Sequence, residues 1–541
     1  MTTTATRPRV GRTELVSVLG LTAAFALLLL TWALVTPPLH GPDELAGIDA
    51  SMHLALGQSW PAAGDMHYLQ GLLSQNVPAL PPLAADRPAF GALIGDHAEN
   101  PLVNPMSQHP PTYFLVQAVV ARALDFTTRR WDVVVLGMRI ADVVVMTAVP
   151  PLVWAAVRRV TRSPRLAVAA AGALLLVPQL AQLGASVSVW VPVIAAGALT
   201  TWLGARVLTG DRSWWTALAL GGALALGTAV MAGGFIAVPF AVAAVLCARP
   251  DGPSAADEHP VTRRSAHVGS RLLRVLVVLV VPAVTTGWWW VRQLVTTGTV
   301  QPDAFPATTT AWPQDEGPAP TQFAGAFWNG LSESFWGRLG RYEWPLSPVI
   351  VDTFTVVALV ALVWAATRRT ADRRTMLVAA VFPVTALVVV LVRDYATYVG
   401  HTGVTVNQGR FLFPAVAALL VLQAVAWRGL VVDDRIRRRL GRALLVVGPL
   451  VALAGLALVY GGAYQSLQFT VTSVGVNLLA TTTPYGLKPL AVVLVALVVV
   501  GGTALVAGWV LLGRADRGPE APSDPPLDSR PTVEPTQRNN A

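Results

Sequence analysis

The 541-residue chain is 54% hydrophobic and only 13% charged, with a formal net charge of +9. That composition is too apolar for a water-soluble globule, and its repeated apolar runs are long enough to cross a bilayer. A single cysteine, Cys247, excludes an intramolecular disulfide and argues against redox chemistry, and in a membrane protein the positive charge bears on sidedness before it bears on nucleic acid.

Runs of roughly 17 to 25 apolar residues read as membrane-spanning helices. They predict an all-α integral membrane protein of about 12 transmembrane helices, near 14–36, 132–157, 166–186, 189–208, 214–230, 232–248, 271–291, 348–367, 375–392, 411–428, 442–462 and 489–512. The first run follows Arg7, Arg9 and Arg12, is too long for a signal-peptide core, and has Pro37 and Pro38 where a cleavage site would fall, so it reads as a retained span.

Most arginines fall on one side of this map: Arg158 to Arg165, Arg206 and Arg212, Arg249 to Arg274, Arg368 to Arg374 and Arg428 to Arg442. The positive-inside rule makes that side cytoplasmic and puts both termini there, in the cytoplasmic (plasma) membrane. The expected organisation is a cytoplasmic N-terminus 1–13, a membrane domain 14–512 with outer loops 37–131 and 292–347 and a flexible cytoplasmic linker 249–270, and a disordered cytoplasmic tail 513–541 rich in Pro, Asp and Ser. Within the first outer loop, Tyr113 to Leu124 is apolar but too short to cross, and predicts a helix lying in the interface.

The polar residues that could carry chemistry collect at the outer rim. Asp43 and Glu44 follow the first span directly, with Asp49 and His53 four apart on one face of the helix expected after them. Asp43 reads either as a helix cap or as a carboxylate tuned by partial desolvation for acid or base work. His109-Pro110-Pro111-Thr112-Tyr113 is a rigid entry to the interfacial helix, and its His109 is placed to meet a phosphate.

Arg139 and Asp142 stand three apart within the second span, as a mutual ion pair or part of a substrate site. The second outer loop opens on Trp288-Trp289-Trp290-Val291-Arg292 and closes on Phe335 to Trp344, with Arg338 and Arg341 among the aromatics. This mixture suits membrane anchoring, and it also suits a sugar phosphate, through ring stacking and forked guanidinium bonds. Arg393, Asp394, His401 and the run Gln408-Gly409-Arg410-Phe411-Leu412-Phe413-Pro414 fall at the outer mouth of the tenth span.

Pro42-Asp43-Glu44, His109-Pro110-Pro111-Thr112-Tyr113, Trp289-Trp290-Val291-Arg292 and Gln408 to Pro414 together resemble an uncharacterised family of multispanning proteins. That family is similar to the GT-C glycosyltransferases, the clan of the protein O-mannosyltransferases and the lipid A aminoarabinose transferase. The resemblance runs from about residue 14 to 512. It implies a GT-C-like fold, a polyprenyl-phosphate-linked sugar as donor, membrane lipids as surroundings, an unidentified glycan or protein acceptor, and no nucleic-acid partner. It puts the catalytic carboxylate on Asp43, with Glu44 as rival, and the phosphate contacts on Arg410 and Arg292. Gln408, His109, Tyr113, Arg139, Asp142, Asp49, Arg338 and Arg341 complete the candidate substrate-binding set.

This chain departs from the family pattern after Pro42-Asp43-Glu44, where Leu45-Ala46-Gly47 replaces the expected Pro-x-His. It departs again at Ser186-Val187-Ser188-Val189-Trp190, where such proteins often carry Asn-Asp. No metal-binding spacing is present, although Asp43, Glu44 and Asp49 leave a divalent metal open. Two rival readings remain: a twelve-helix secondary transporter in two halves, and a non-catalytic lipid-binding envelope protein.

Overall fold

A computed structural model describes residues 10–76, 80, 82–95, 97–248, 260–302, 312, 317–368, 373–400, 408–466 and 470–513. The expected N-terminal segment before residue 10, the tail beyond 513, His401 and Asn407 lie outside the described residues.

The protein is a polytopic bundle of helices. Among the described residues, nine helices are long and apolar enough to cross a membrane: Arg12–Val35, Trp131–Thr161, Trp190–Leu208, Val268–Thr285, Pro348–Thr367, Arg373–Gly400, Gly409–Leu430, Asp434–Tyr464 and Leu487–Gly513. A tenth crossing is broken, since Pro164–Leu176 and Pro178–Gly184 meet at 78°. Pro178 supplies the cause, having no N–H to continue the ladder and driving the preceding Val177 out of helical geometry to φ −118°. The apolar runs around 214–230 and 232–248 form helical stretches shorter than a full crossing, Trp214–Thr228 and Ala232–Leu246. Length and composition thus give nine or ten spans where the apolar runs suggested about 12. The helix Pro260–Thr285 also begins inside the expected linker 249–270.

The main core gathers around the first helix, where Phe25, Leu29 and Trp32 are fully buried against Met146, Leu183 and Ile194. Leu487–Gly513 packs on that helix through close approach of small residues, Ala504 lying so near Gly20 that a Cβ added there would meet it at 3.0 Å, and turns its valine face outward.

The described residues of the segment 37–131 pack into one unit. Helix Glu44–Ala55 leads to strand His67–Leu69, which pairs antiparallel with Glu99–Val103, and helix Thr112–Ala123 closes back on it. Asp49 ties these parts together: its fully buried carboxylate accepts from Leu69 N (2.9 Å) and Asn104 Nδ2 (2.8 Å) and faces His53. The short helix Thr112–Ala123 buries Phe114, Ala118 and Ala121 while turning Leu115, Val116 and Val119 outward, so it has apolar residues on both faces and is too short to cross. Two further elements, the helix Pro320–Trp336 and the hairpin Arg338–Leu339 with Trp344–Pro345, come from the segment 292–347.

Candidate active site

Glu44 and Arg139 form the floor of the site. The Arg139 guanidinium grips Glu44 in a fork, Nε to Oε1 at 2.7 Å and Nη2 to Oε2 at 2.6 Å, and its remaining donors reach the carbonyls of Ala33, Thr36 and Pro37. Ala33 O is one of the carbonyls that the end of the first helix leaves without a helical partner, and Thr36 and Pro37 follow just beyond it. Glu44 takes two more hydrogen bonds, from Gly41 N (3.1 Å) and Val187 N (3.2 Å). The sequence left Arg139 and Asp142 open as a mutual ion pair or as part of a substrate site, and the mutual pair does not form. Three residues along a helix set the two about 60° apart, and each turns to its own partner. Asp142 accepts instead from Tyr113 Oη (2.7 Å), Gln117 Nε2 (2.9 Å) and Ser188 N (2.9 Å). The 186–189 turn therefore holds both buried carboxylates with main-chain N–H groups.

Asp43 faces the other way. It precedes helix Glu44–Ala55 in the left-handed region, φ 55° and ψ 14°, and its side chain makes no capping hydrogen bond, so the capping role is not the one it plays. Such a conformation is strained for a residue with a Cβ, and strain of this kind collects where the backbone must aim a functional group. The carboxylate points out to an ion pair with Arg410; Asp43 is 39% exposed there and Arg410 10%. Arg410 also lies over the Trp190 ring, 5.7 Å from its centroid, and its Nε has no hydrogen-bond partner among the described residues. Gly409 permits the approach of this segment: its N donates to Ser334 Oγ at 2.6 Å, and a Cβ there would collide with the Phe335 backbone.

Residues 338–345 lay a strap across these groups. Gln182 reads Gly340 as a strand would, donating to its carbonyl and accepting from its N–H, both at 3.2 Å, and Gln179 accepts from Arg338 N at 2.9 Å. Tyr342, itself at φ 69°, extends from the strap to donate to Gln408 Oε1 at 3.1 Å. Burial pushes its phenol up to about 12. Arg338 is turned back onto Tyr342 O (3.0 Å). Arg341 donates to Leu39 O (3.2 Å) and stands 3.4 Å from His40 Nδ1. Burial, and then the charge of Arg341, lowers His40 to about 4.

His109 completes the wall behind Asp43. Burial lowers its pKa to about 4, the carboxylate of Asp43 opposing and the charges of Arg410 and Arg393 assisting. A neutral imidazole results, and its Nδ1 has no partner among the described residues. Arg292 is the outlier: its guanidinium lies over Trp289, 5.9 Å from the ring centroid, on the exposed side of helix Gly287–Thr297. Asp43, Glu44 and Asp49 do not converge, because Glu44 is committed to Arg139 and Asp49 to Leu69 and Asn104. No grouping of three or more His, Cys, Asp or Glu among the described residues could hold a metal ion.

The structure thus brings together Asp43, Arg410, His109 and Gln408, and gives Glu44, Arg139, Asp142, Tyr113 and Asp49 supporting contacts. Sequence reasoning passed over Tyr342, Gln182, Trp190 and Asn104 as contributors. Only the positive-φ turn around Gly340 left a local trace, in Gly337 and Gly340 flanking an aromatic and arginine run.

The family described as dolichyl-phosphate-mannose-protein mannosyltransferase matches residues 108–288, about a third of the chain. This segment resembles a mannosyltransferase family. The match agrees with the resemblance carried by the motifs and includes His109, Tyr113, Arg139 and Asp142. Among solved structures, ArnT from Cupriavidus metallidurans bound to undecaprenyl phosphate is 16% identical with a TM-score of 0.43, over 91% of this chain and 76% of that one. Its apo state gives 17% and 0.45, over 91% and 77%. The Archaeoglobus fulgidus oligosaccharyltransferase tethered with an acceptor peptide gives 13% and 0.40, over 92% of this chain and 54% of that chain. Comparison with curated protein sequences gives no match.

Proposed function

We propose that this protein is an inverting glycosyltransferase that takes a polyprenyl-phosphate-linked sugar at the outer face of the membrane. The observation that carries the reading is the Asp43–Arg410 pair: an outward carboxylate in a strained backbone, held by an arginine that retains an unpartnered Nε. The mannosyltransferase match over residues 108–288 supports the donor class, and the clustering of arginines on the opposite ends of the spans supports the face.

In this reading the donor phosphate competes with Asp43 for Arg410. A guanidinium binds a phosphate at least as well as a carboxylate, so donor binding frees Asp43 as it seats the lipid. Asp43 then takes the proton of an acceptor hydroxyl, and the oxygen attacks the anomeric carbon. The bond from that carbon to the phosphate oxygen breaks, and its electron pair leaves with the polyprenyl phosphate, whose charge stays on Arg410. Base catalysis contributes about 10²- to 10⁴-fold and the arginine stabilises the charge that develops. Tyr342 and Gln408 border the same phosphate position, and neutral His109 offers a hydrogen bond without a second full charge.

The test is release of polyprenyl phosphate from polyprenyl-phosphate-linked mannose and related sugars by purified protein. Asp43→Asn is expected to abolish release with thermal unfolding unchanged, and Arg410→Ala to abolish stabilisation by polyprenyl phosphate. Full turnover by Asp43→Asn overturns the assignment. Binding by wild type with no turnover on any donor instead supports a lipid-binding role.

A further inference from the structure

Helix Arg373–Gly400 carries a buried carboxylate that the mechanism above does not use. Asp394 is 8% exposed, and its Oδ2 makes no hydrogen bond among the described residues. Arg374, at the other end of the helix, bonds Ala248 O at 3.1 Å. The rise between Arg374 and Asp394 is about 30 Å, which puts Asp394 at the opposite membrane boundary, level with Arg410.

Its surroundings are aromatic. Val390 and Tyr398, one turn before and one turn after Asp394 on the same face, pack with Phe323, Phe327 and Leu331 of helix Pro320–Trp336. Phe323 lies 5.1 Å from Tyr395 and 5.4 Å from Tyr398 between ring centroids, and Trp312 lies 5.2 Å from Tyr398. Phe411 joins this cluster to the site already described: it packs against the cluster and meets the Trp190 ring, over which Arg410 lies, at 5.2 Å. Arg393, the neighbour of Asp394, contributes to the charge felt at His109. The aromatic cluster and the carboxylate are therefore continuous with the proposed phosphate position.

Arg393 lends this carboxylate some charge compensation, but its Oδ2 is buried without a donor among the described residues; such an oxygen is costly, and a fold keeps one where a ligand completes it. Aromatic rings beside a carboxylate match a sugar ring, whose C–H faces stack on the rings and whose hydroxyls donate to the oxygens. We propose that Asp394 and the rings around it form a saccharide subsite that reads the hydroxyls of the donor sugar, while Arg410 holds its phosphate. The proposal rests on the glycosyltransferase reading.

The test compares thermal stabilisation by a synthetic polyprenyl phosphate with that by its mannosyl, glucosyl and galactosyl derivatives, in wild type, Asp394→Asn, Asp394→Leu and Arg410→Ala. Wild type should bind at least one sugar-bearing lipid more tightly than the bare phosphate. Both Asp394 variants should lose that increment, about 10-fold in affinity for one hydrogen bond to a charged group, and keep the response to the bare phosphate. Without ligand, Asp394→Leu should melt at or above the wild-type temperature, because it removes a buried oxygen left without a donor; a structural carboxylate would make it melt lower. An increment retained in Asp394→Leu, no increment for any sugar in wild type, or a lowered unliganded melting temperature overturns the subsite. Failure of bare polyprenyl phosphate to stabilise wild type overturns the underlying reading.

Discussion

Asp43 and Glu44 share a peptide bond and serve opposite sides of the protein, Glu44 locked inward to Arg139 and Asp43 turned outward to Arg410. The left-handed backbone at Asp43 makes this divergence, and it separates two carboxylates that sequence alone leaves as rivals.

The two should respond differently to neutralisation. Glu44→Gln leaves Arg139 buried with its charge uncompensated, and is expected to cost about 3–5 kcal/mol. Arg139→Met is expected to cost at least as much, since the carbonyls of Ala33 and Thr36 lose this donor together with Glu44. Thermal unfolding in detergent measures both, and Glu44→Gln with wild-type stability would remove this pair from the framework.

Stability should peak near pH 6.5. Burial works against charge on His53, but the hydrogen bond and charge of Asp49, with Gln58 and the His67 carbonyl, outweigh it and raise its pKa to about 9. The stability it contributes is complete below 6.5 and is lost as pH rises toward 9. His40 and His109, lowered to about 4, act in the other direction: their contribution is present above 6.5 and is lost as pH falls toward 4. Melting temperatures from pH 4 to 10 should flatten on the alkaline side in His53→Gln and on the acid side in His109→Gln. An unaltered profile in both would contradict these assignments.

Gly409→Ala should displace the segment that presents Arg410, because the added methyl group meets the Phe335 backbone, which has no rotamer to yield. Overpacking of this kind costs about 1–3 kcal/mol. The greater effect is expected on polyprenyl phosphate binding, and equal affinity in the variant and wild type would show that the segment tolerates the shift.

Gln182→Leu keeps the side-chain volume and strips the strap of both hydrogen bonds at Gly340. Leaving that N–H and carbonyl unsatisfied should cost about 1–3 kcal/mol and raise hydrogen exchange in residues 338–345. Unchanged exchange would mean that Gln179 holds the strap alone.

Much of the architecture was legible because it follows from hydropathy. Most of the long helices appear where the apolar runs put them, and a short helix follows His109-Pro110-Pro111 as expected, but the runs at 214–230 and 232–248 form helices shorter than a full crossing. The break at Pro178 was within reach, since proline and the residue before it resist helical geometry, yet the continuous apolar run hid it. The site was legible in its residue types and hidden in its partnerships. Arg139 and Asp142 look paired by spacing, but their partners lie 95 residues away at Glu44 and 46 away at Ser188. Gln182 and Tyr342 carry no motif, because their roles exist only after the broken span and the second loop have met.

The turn at 186–189 bears on how this site can change over generations. Because Val187 and Ser188 hold Glu44 and Asp142 through backbone N–H groups, the framework depends on the path of the chain there and little on which side chains decorate it. An ancestor or descendant could exchange those side chains, adding polar groups that face an acceptor or removing them, while the carboxylates beneath stayed in place. In the proposed mechanism, acceptor preference would then be free to drift at this turn while the groups around Asp43 and Arg410 stayed in place.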